Sequence, residues 1–204
     1  MLVCGSHSCP PPLKSILLVM QISNLSSGTD QCSALHPPNG QSLCLNMNMD
    51  LIAHLTRLFE YDAWANREVL SNLRAQSTPQ PRPLKLIAHV LASQHFWMSR
   101  LEPTYPATSV WPDLTIEECE KQANELQALW KEYLKNSTEA DLAQTIDYIN
   151  TRGEPWSNRK DDILMHLITH SAYHRGQVAA AVRAAGFTPA YTDFIHSIRQ
   201  GFVK

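Results

Sequence analysis

The sequence predicts an all-α four-helix bundle. Three observations predict it. Four stretches after residue 48 carry apolar side chains at three- and four-residue steps, the period of a helix. Prolines, glycines and capping residues bracket those stretches. At about 20 residues each the helices are ~30 Å long, a length that suits a bundle whose consecutive members are joined by short links.

The first helix is expected from about Asp50 to Arg74. Leu51, Leu55, Leu58, Asp62, Ala65 and Val69 form its stripe, and Asp50 is a plausible N-cap. Ser77, Thr78, Pro79, Pro81 and Pro83 then break the chain. The second helix is expected from about Leu84 to Leu101, with Leu86, Val90, Ser93 and Trp97 on one face. Pro103 and Pro106 end it. The third is expected from Thr115 to Lys135, where Thr115 and Glu118 have the form of a capping box. Cys119, Ala123, Leu126, Trp130 and Leu134 supply its apolar face. Thr145–Tyr148 and Glu154–Ser157 are expected to pair as a short hairpin. The fourth long helix is expected from Lys160 to Ala185. Asp161 and Asp162 complement its dipole at the N-terminus, and Gly186 is a good residue just past its end. The tail from Ala190 to Phe202 is expected to add a short helix.

Residues 1–46 differ in kind. They hold Pro10, Pro11, Pro12, Pro37 and Pro38, and only Lys14 and Asp30 as charges. This composition is expected to be disordered or a non-native extension, with the bundle domain spanning 47–204. Met47 and Met49 precede the first helical pattern, and a native start at one of them is expected. The apolar stretch Ile16–Ile22 has the look of a signal-peptide core but lacks a small-residue cleavage site after it. Cys4, His7 and Cys9 match no common zinc spacing.

The formal net charge is −2 and lysines and arginines are scattered. That balance gives no electrostatic basis for nucleic acid as a partner. No apolar run approaches 18 residues, so no membrane span is expected. Four of the five cysteines, Cys4, Cys9, Cys32 and Cys44, lie in the first segment and Cys119 stands alone in the domain. This is no disulfide framework, and a reduced, cytoplasmic compartment is expected.

The chemistry lies in the histidines. On the last long helix His166, His170 and His174 recur at four-residue steps. Side chains so spaced lie one turn apart, about 5–6 Å between Cβ atoms, and two imidazoles can reach one ion at ~2.0–2.1 Å. A third ligand must come from elsewhere. His89, among Ile87, Ala88, Val90 and Leu91, is the best candidate. A pair of histidines one turn apart is also compatible with packed core histidines. The row twists by ~40° over eight residues, so His166 is expected in the core or behind the ligands, not among them. Gln177 lies one turn beyond His174 and is placed to orient a ligand or bind a metal-bound water. His54 is read as a packed, hydrogen-bonded histidine, and His95 and His196 as peripheral. Gly176 is expected to admit a close helix or a substrate. Arg175 is expected in a salt bridge or partner contact. Asp62 and Glu60 are candidates for a base, or are simply solvated or paired.

His170-Ser-Ala-Tyr-His174-Arg-Gly-Gln177, Ala88-His89-Val with Trp97 and Arg100, Phe59-Glu-Tyr-Asp-Ala-Trp64-Ala-Asn66 and Thr192-Asp193-Phe194 together resemble the DinB/YfiT family of metalloenzymes over roughly Met49–Phe202. Thr169 stands where many members have Asn. The resemblance implies an up-down-down-up four-helix bundle and a divalent metal, zinc or nickel, on His89, His170 and His174. It also implies homodimers and, in some branches, S-transferases using a low-molecular-weight thiol. Three functions are carried forward. The first is a metal-dependent enzyme of thiol-transfer or hydrolytic type, because three neutral ligands leave a position open. The second is a non-catalytic metal-binding stress-response module. The third is a bundle with core histidines and no metal.

Overall fold

The computed structural model describes residues 50–78 and 80–204. The readings made on Cys4, His7, Cys9, the Ile16–Ile22 stretch and a start at Met47 or Met49 fall outside them. Helix α1 spans Leu51–Arg74, α2 Pro81–Leu101, α3 Ile116–Lys135, α4 Glu139–Leu142, α5 Lys160–Ala184 and α6 Phe194–Arg199; strands β1 (Thr145–Ile149) and β2 (Pro155–Arg159) lie between α4 and α5. The protein is mostly helical with a two-strand ribbon. No helix among the described residues is long and apolar enough to cross a membrane.

Each long helix begins and ends where local chemistry dictates. The Asp50 carboxylate accepts from the backbone N–H groups of Ile52 and Ala53. Thr115 and Glu118 form the reciprocal capping box. At the end of α5, Gly186 has φ +85°, and the Gly186 and Phe187 N–H groups donate to the Arg183 and Val182 carbonyls. This is a Schellman closure, which glycine makes without steric cost. Helix α2 starts three residues earlier than the periodicity suggests, because Pro81 occupies the first turn, where a missing N–H costs nothing. The one-turn α4 carries too few residues for a periodic signal, though Thr138 and Asp141 do form a capping box around it.

Helices α1 and α3 run antiparallel: Phe59 stacks on Trp130, and Arg74 at the far end of α1 reaches Glu120 near the start of α3. Helices α2 and α5 are likewise antiparallel, with His89 beside His174 and Trp97 beside His166. Leu55, Leu70, Ile87, Leu91, Leu164 and Leu167 lie in the shared core. β1 and β2 pair antiparallel with Tyr148 opposite Trp156; β1 runs one residue past the expected strand, and β2 starts one residue later and ends two later than expected. The ribbon sits at the Trp97–His166 end of the α2–α5 seam, where Tyr148 meets Trp97 edge-on.

A buried polar knot joins α1, α2, α3 and α5. Arg175 Nη1 donates to Asp62 Oδ1 and, at 2.9 Å, to Asn66 Oδ1. Gln94 Nε2 donates to Asp62 Oδ2 at 2.8 Å and Trp130 Nε1 donates to Gln94 Oε1 at 2.8 Å. All five side chains are buried. Arg175 therefore makes the expected salt bridge, and Asp62 is committed to it.

Gly176 is corrected. A Cβ built there meets no atom within 4 Å, and the residue is exposed. Neither a close helix nor access to the histidines requires glycine at this position within the chain. Gly176→Ala is expected to stabilise the fold by about 1 kcal/mol through helix propensity alone. Urea titration beside the wild type measures it, and a loss of stability would show that the glycine is needed for some contact outside the chain.

Candidate metal centre

The α2–α5 seam brings His89, His170 and His174 together. One ring nitrogen from each can be chosen so that all three lie within 4.8 Å of one another, and the group could hold a metal ion. Ring centroids stand 5.1 Å apart for His89–His170, 4.8 Å for His89–His174 and 4.4 Å for His170–His174. His170 and His174 share a face of α5 because they are four residues apart. His89 reaches them because the apolar side chains around it on α2 bury that face against α5.

Two of the rings are held by hydrogen bonds at Nδ1. His89 Nδ1–H donates to the Val110 carbonyl at 2.5 Å, and His174 Nδ1–H donates to Gln177 Oε1 at 2.8 Å. Each bond puts the proton on Nδ1 and leaves the Nε2 lone pair free, the arrangement that orients ligating imidazoles. Gln177 thus reaches the His174 ring from one turn further along α5, as its spacing suggests. His170 Nδ1 is buried with no hydrogen-bond partner among the described residues. A buried, unsatisfied nitrogen amid two other imidazoles fits a divalent cation: the donor set is neutral and has no competing protein cation in it.

The electrostatics favour the unprotonated rings. Burial pushes the His170 imidazolium down to about 4, helped by His174, His89 and His166 around it. Burial also lowers His89, with His174 adding to the shift and the Val110 hydrogen bond opposing it. A group whose pKa is depressed on folding contributes stability above its unfolded value that is lost as pH falls through the folded value. Metal-free protein is therefore expected to lose thermal stability progressively between about pH 6.5 and pH 4. Melting curves over that range measure it; a melting temperature that stays level or rises on acidification would contradict the buried-neutral state.

The remaining histidines divide. His166 is not in the triad; its ring packs 5.4 Å from His170 and 5.9 Å from Trp97. His95 is corrected from peripheral to buried: its Nδ1 and the Tyr105 hydroxyl share a 2.5 Å hydrogen bond. His54 is half-buried, and its ring makes no hydrogen bond among the described residues, unlike the reading made from its neighbours. His196 sits against Trp64, Tyr191 and Phe202 at the periphery.

Neither proposed base serves. Asp62 is bound to Arg175, and Glu60 is exposed and lines a separate cleft between α1 and α3. What sequence reasoning missed is the α2–α3 connection. The Trp111 indole stacks on His89 at 3.7 Å with an interplanar angle of 4°, and it also meets His174 edge-on at 6.5 Å. The available signal was a tryptophan next to Pro112 in a linker that is otherwise mostly proline and small or polar residues.

A sequence model described as the DinB family matches residues 51–200. The chain is also similar to Protein DinB of Bacillus subtilis (strain 168), at 22% identity over 158 residues, covering 68% of this chain and 90% of that protein.

Proposed function

The chain belongs to the DinB family, and from that premise we propose a divalent-metal-dependent enzyme of thiol-transfer or hydrolytic type, with the ion held by His89, His170 and His174. The single observation that carries this reading is the convergence of three imidazoles from α2 and α5 with their ligating atoms within 4.8 Å. Zinc or nickel suits the donor set. A bound divalent ion supplies Lewis acidity that draws the pKa of a thiol or water towards neutrality.

The chain's own residues do the rest. The Val110 carbonyl and Gln177 hold protons on the Nδ1 atoms and so keep two rings facing inward. Trp111 covers one face of His89 and restricts water on that side. No carboxylate lies in the triad, so the proton from an attacking thiol or water has no side-chain acceptor there. That favours a nucleophile acidic enough to act as its anion, and a low-molecular-weight thiol fits better than water. The up-down-down-up bundle is supported by the antiparallel α1–α3 and α2–α5 pairs. A homodimer is supported by Tyr173 and Met165, apolar and exposed on α5 at 65% and 40%. A cytoplasmic setting is supported by the single free thiol, Cys119, in the domain. Residues 1–46 are proposed to lie outside the native domain, on their composition.

The test is elemental analysis of untagged protein, followed by a screen of thiols against electrophiles and of hydrolysable esters and amides, with and without chelator. Activity lost on chelation and restored by Zn²⁺ or Ni²⁺ is expected. The second reading, a non-catalytic metal-binding module, is favoured by the exposed apolar α5 face; it predicts bound metal and a melting temperature lowered by chelation, with no turnover of any substrate class.

A further inference from the structure

One turn beyond His170 towards the start of α5, the seam opens into a cavity of about 250 Å³ lined by Trp97, Tyr148, Asn158, Asp162, Ile163 and His166. It adjoins the triad across His166, whose ring stands 5.4 Å from the His170 ring and 5.9 Å from Trp97. We propose that this cavity is the substrate-recognition subsite and that it takes a cationic amine, held by the Asp162 carboxylate and the Trp97 and Tyr148 rings, while the reacting end of the same molecule lies at the triad. The inference rests on the metal-enzyme reading above and specifies its substrate class.

The chemistry of the lining carries the assignment. Asp162, His166, His170 and His174 follow one another at four-residue steps along α5, so the carboxylate and the metal ligands share one side of the helix, about 12 Å apart from Asp162 to His170. The Asp162 carboxylate has no ion-pair partner among the described residues. The nearby cations are already engaged. Arg159 is held bidentately by Asp161 at 2.9 and 2.5 Å. Arg100 donates to the Ile149 carbonyl at 2.7 Å and lies over Phe96, Trp97 and Tyr148. Arg100 is not among the residues that line the cavity. Tyr148 is fixed by donating its hydroxyl to Asn158 Oδ1 at 2.6 Å, which leaves the Asn158 amide N–H groups able to donate to a polar substituent but not to an ammonium. A carboxylate beside π-faces attracts a cation and disfavours an anion.

The probes are 6-aminohexanethiol, its N-acetyl derivative and 6-mercaptohexanoic acid, titrated calorimetrically into the full chain loaded with Zn²⁺. The aminothiol is expected to bind about tenfold tighter than the other two, the combined effect of a partly exposed charge pair and an aromatic contact. Asp162→Asn is expected to abolish the preference, and Asp162→Lys to reverse it towards the carboxylate. Equal binding of the three thiols, or a preference unchanged in Asp162→Asn, overturns the subsite and leaves the metal reading standing. If the protein retains no Zn²⁺, the metal reading fails instead, and if it binds none of the thiols, the thiol-transfer form of that reading fails. The subsite is then decided by hexylammonium titrated into metal-free protein. Saturable binding lost in Asp162→Asn supports it, and no saturable binding overturns it.

Discussion

Replacing His170 by alanine is expected to remove bound metal almost completely, from near one equivalent per chain to a small fraction of that. Its ring lies 4.4 Å from His174 and 5.1 Å from His89, and its loss leaves only the His89–His174 pair. Two imidazoles do not make a high-affinity site for a divalent cation in competition with water. Gln177→Ala is expected to act more gently, weakening affinity by about 10- to 100-fold, because His174 stays and loses only the acceptor that orients it. The ordering separates a ligand from its support. Metal content by mass spectrometry after dialysis, with affinities by chelator competition, reads both. Equal metal in wild type and His170→Ala would place the ion elsewhere.

The second large effect is on stability. Asp62→Ala is expected to cost about 3–5 kcal/mol, because it leaves the Arg175 guanidinium buried without its counter-charge. For a domain of this size that lowers the melting temperature by roughly 10 °C or more. The cost comes from the stranded partner more than from the lost bond. Changing both residues, Asp62→Leu with Arg175→Met, is therefore expected to be less harmful than Asp62→Ala alone. Asn66 and Gln94 limit that recovery, since both donate to the carboxylate and would lose an acceptor. Thermal melts of the single and double variants measure the difference. A double variant worse than the single would mean that the knot contributes net stability as a unit.

The helices and the triad were legible in the sequence for a shared reason. A four-residue step has one structural meaning on a helix, so His170 and His174 had to share a face, and the apolar neighbours of His89 forced that residue inward. The caps at Asp50 and Thr115 were equally readable, because each satisfies N–H groups a few residues away. What could not be read depends on contacts far apart in the chain. His95 looks like any other polar break in an apolar helix until Tyr105 is placed against it. Trp111 sits in a connection with no period to interpret. Asp62 has the spacing of a core position and the chemistry of a surface one, and only the arrival of Arg175 from α5, 113 residues later, decides between them. Glycine at 176 misled, because its usual uses suggested a crowded neighbour that is absent.

The hold on His89 comes from a peptide group and not from a side chain, and this changes how the protein can vary. Any residue at position 110 presents the same oxygen, so substitutions there leave the contact in place. The length of the connection from Glu102 to Thr115 is another matter. It is tied down at one end by Tyr105 on His95 and at the other by the cap at Thr115. An inserted or deleted residue between these moorings would slide both the oxygen and the indole off the imidazole at once, whereas a homologue with unrelated residues and equal spacing would keep them.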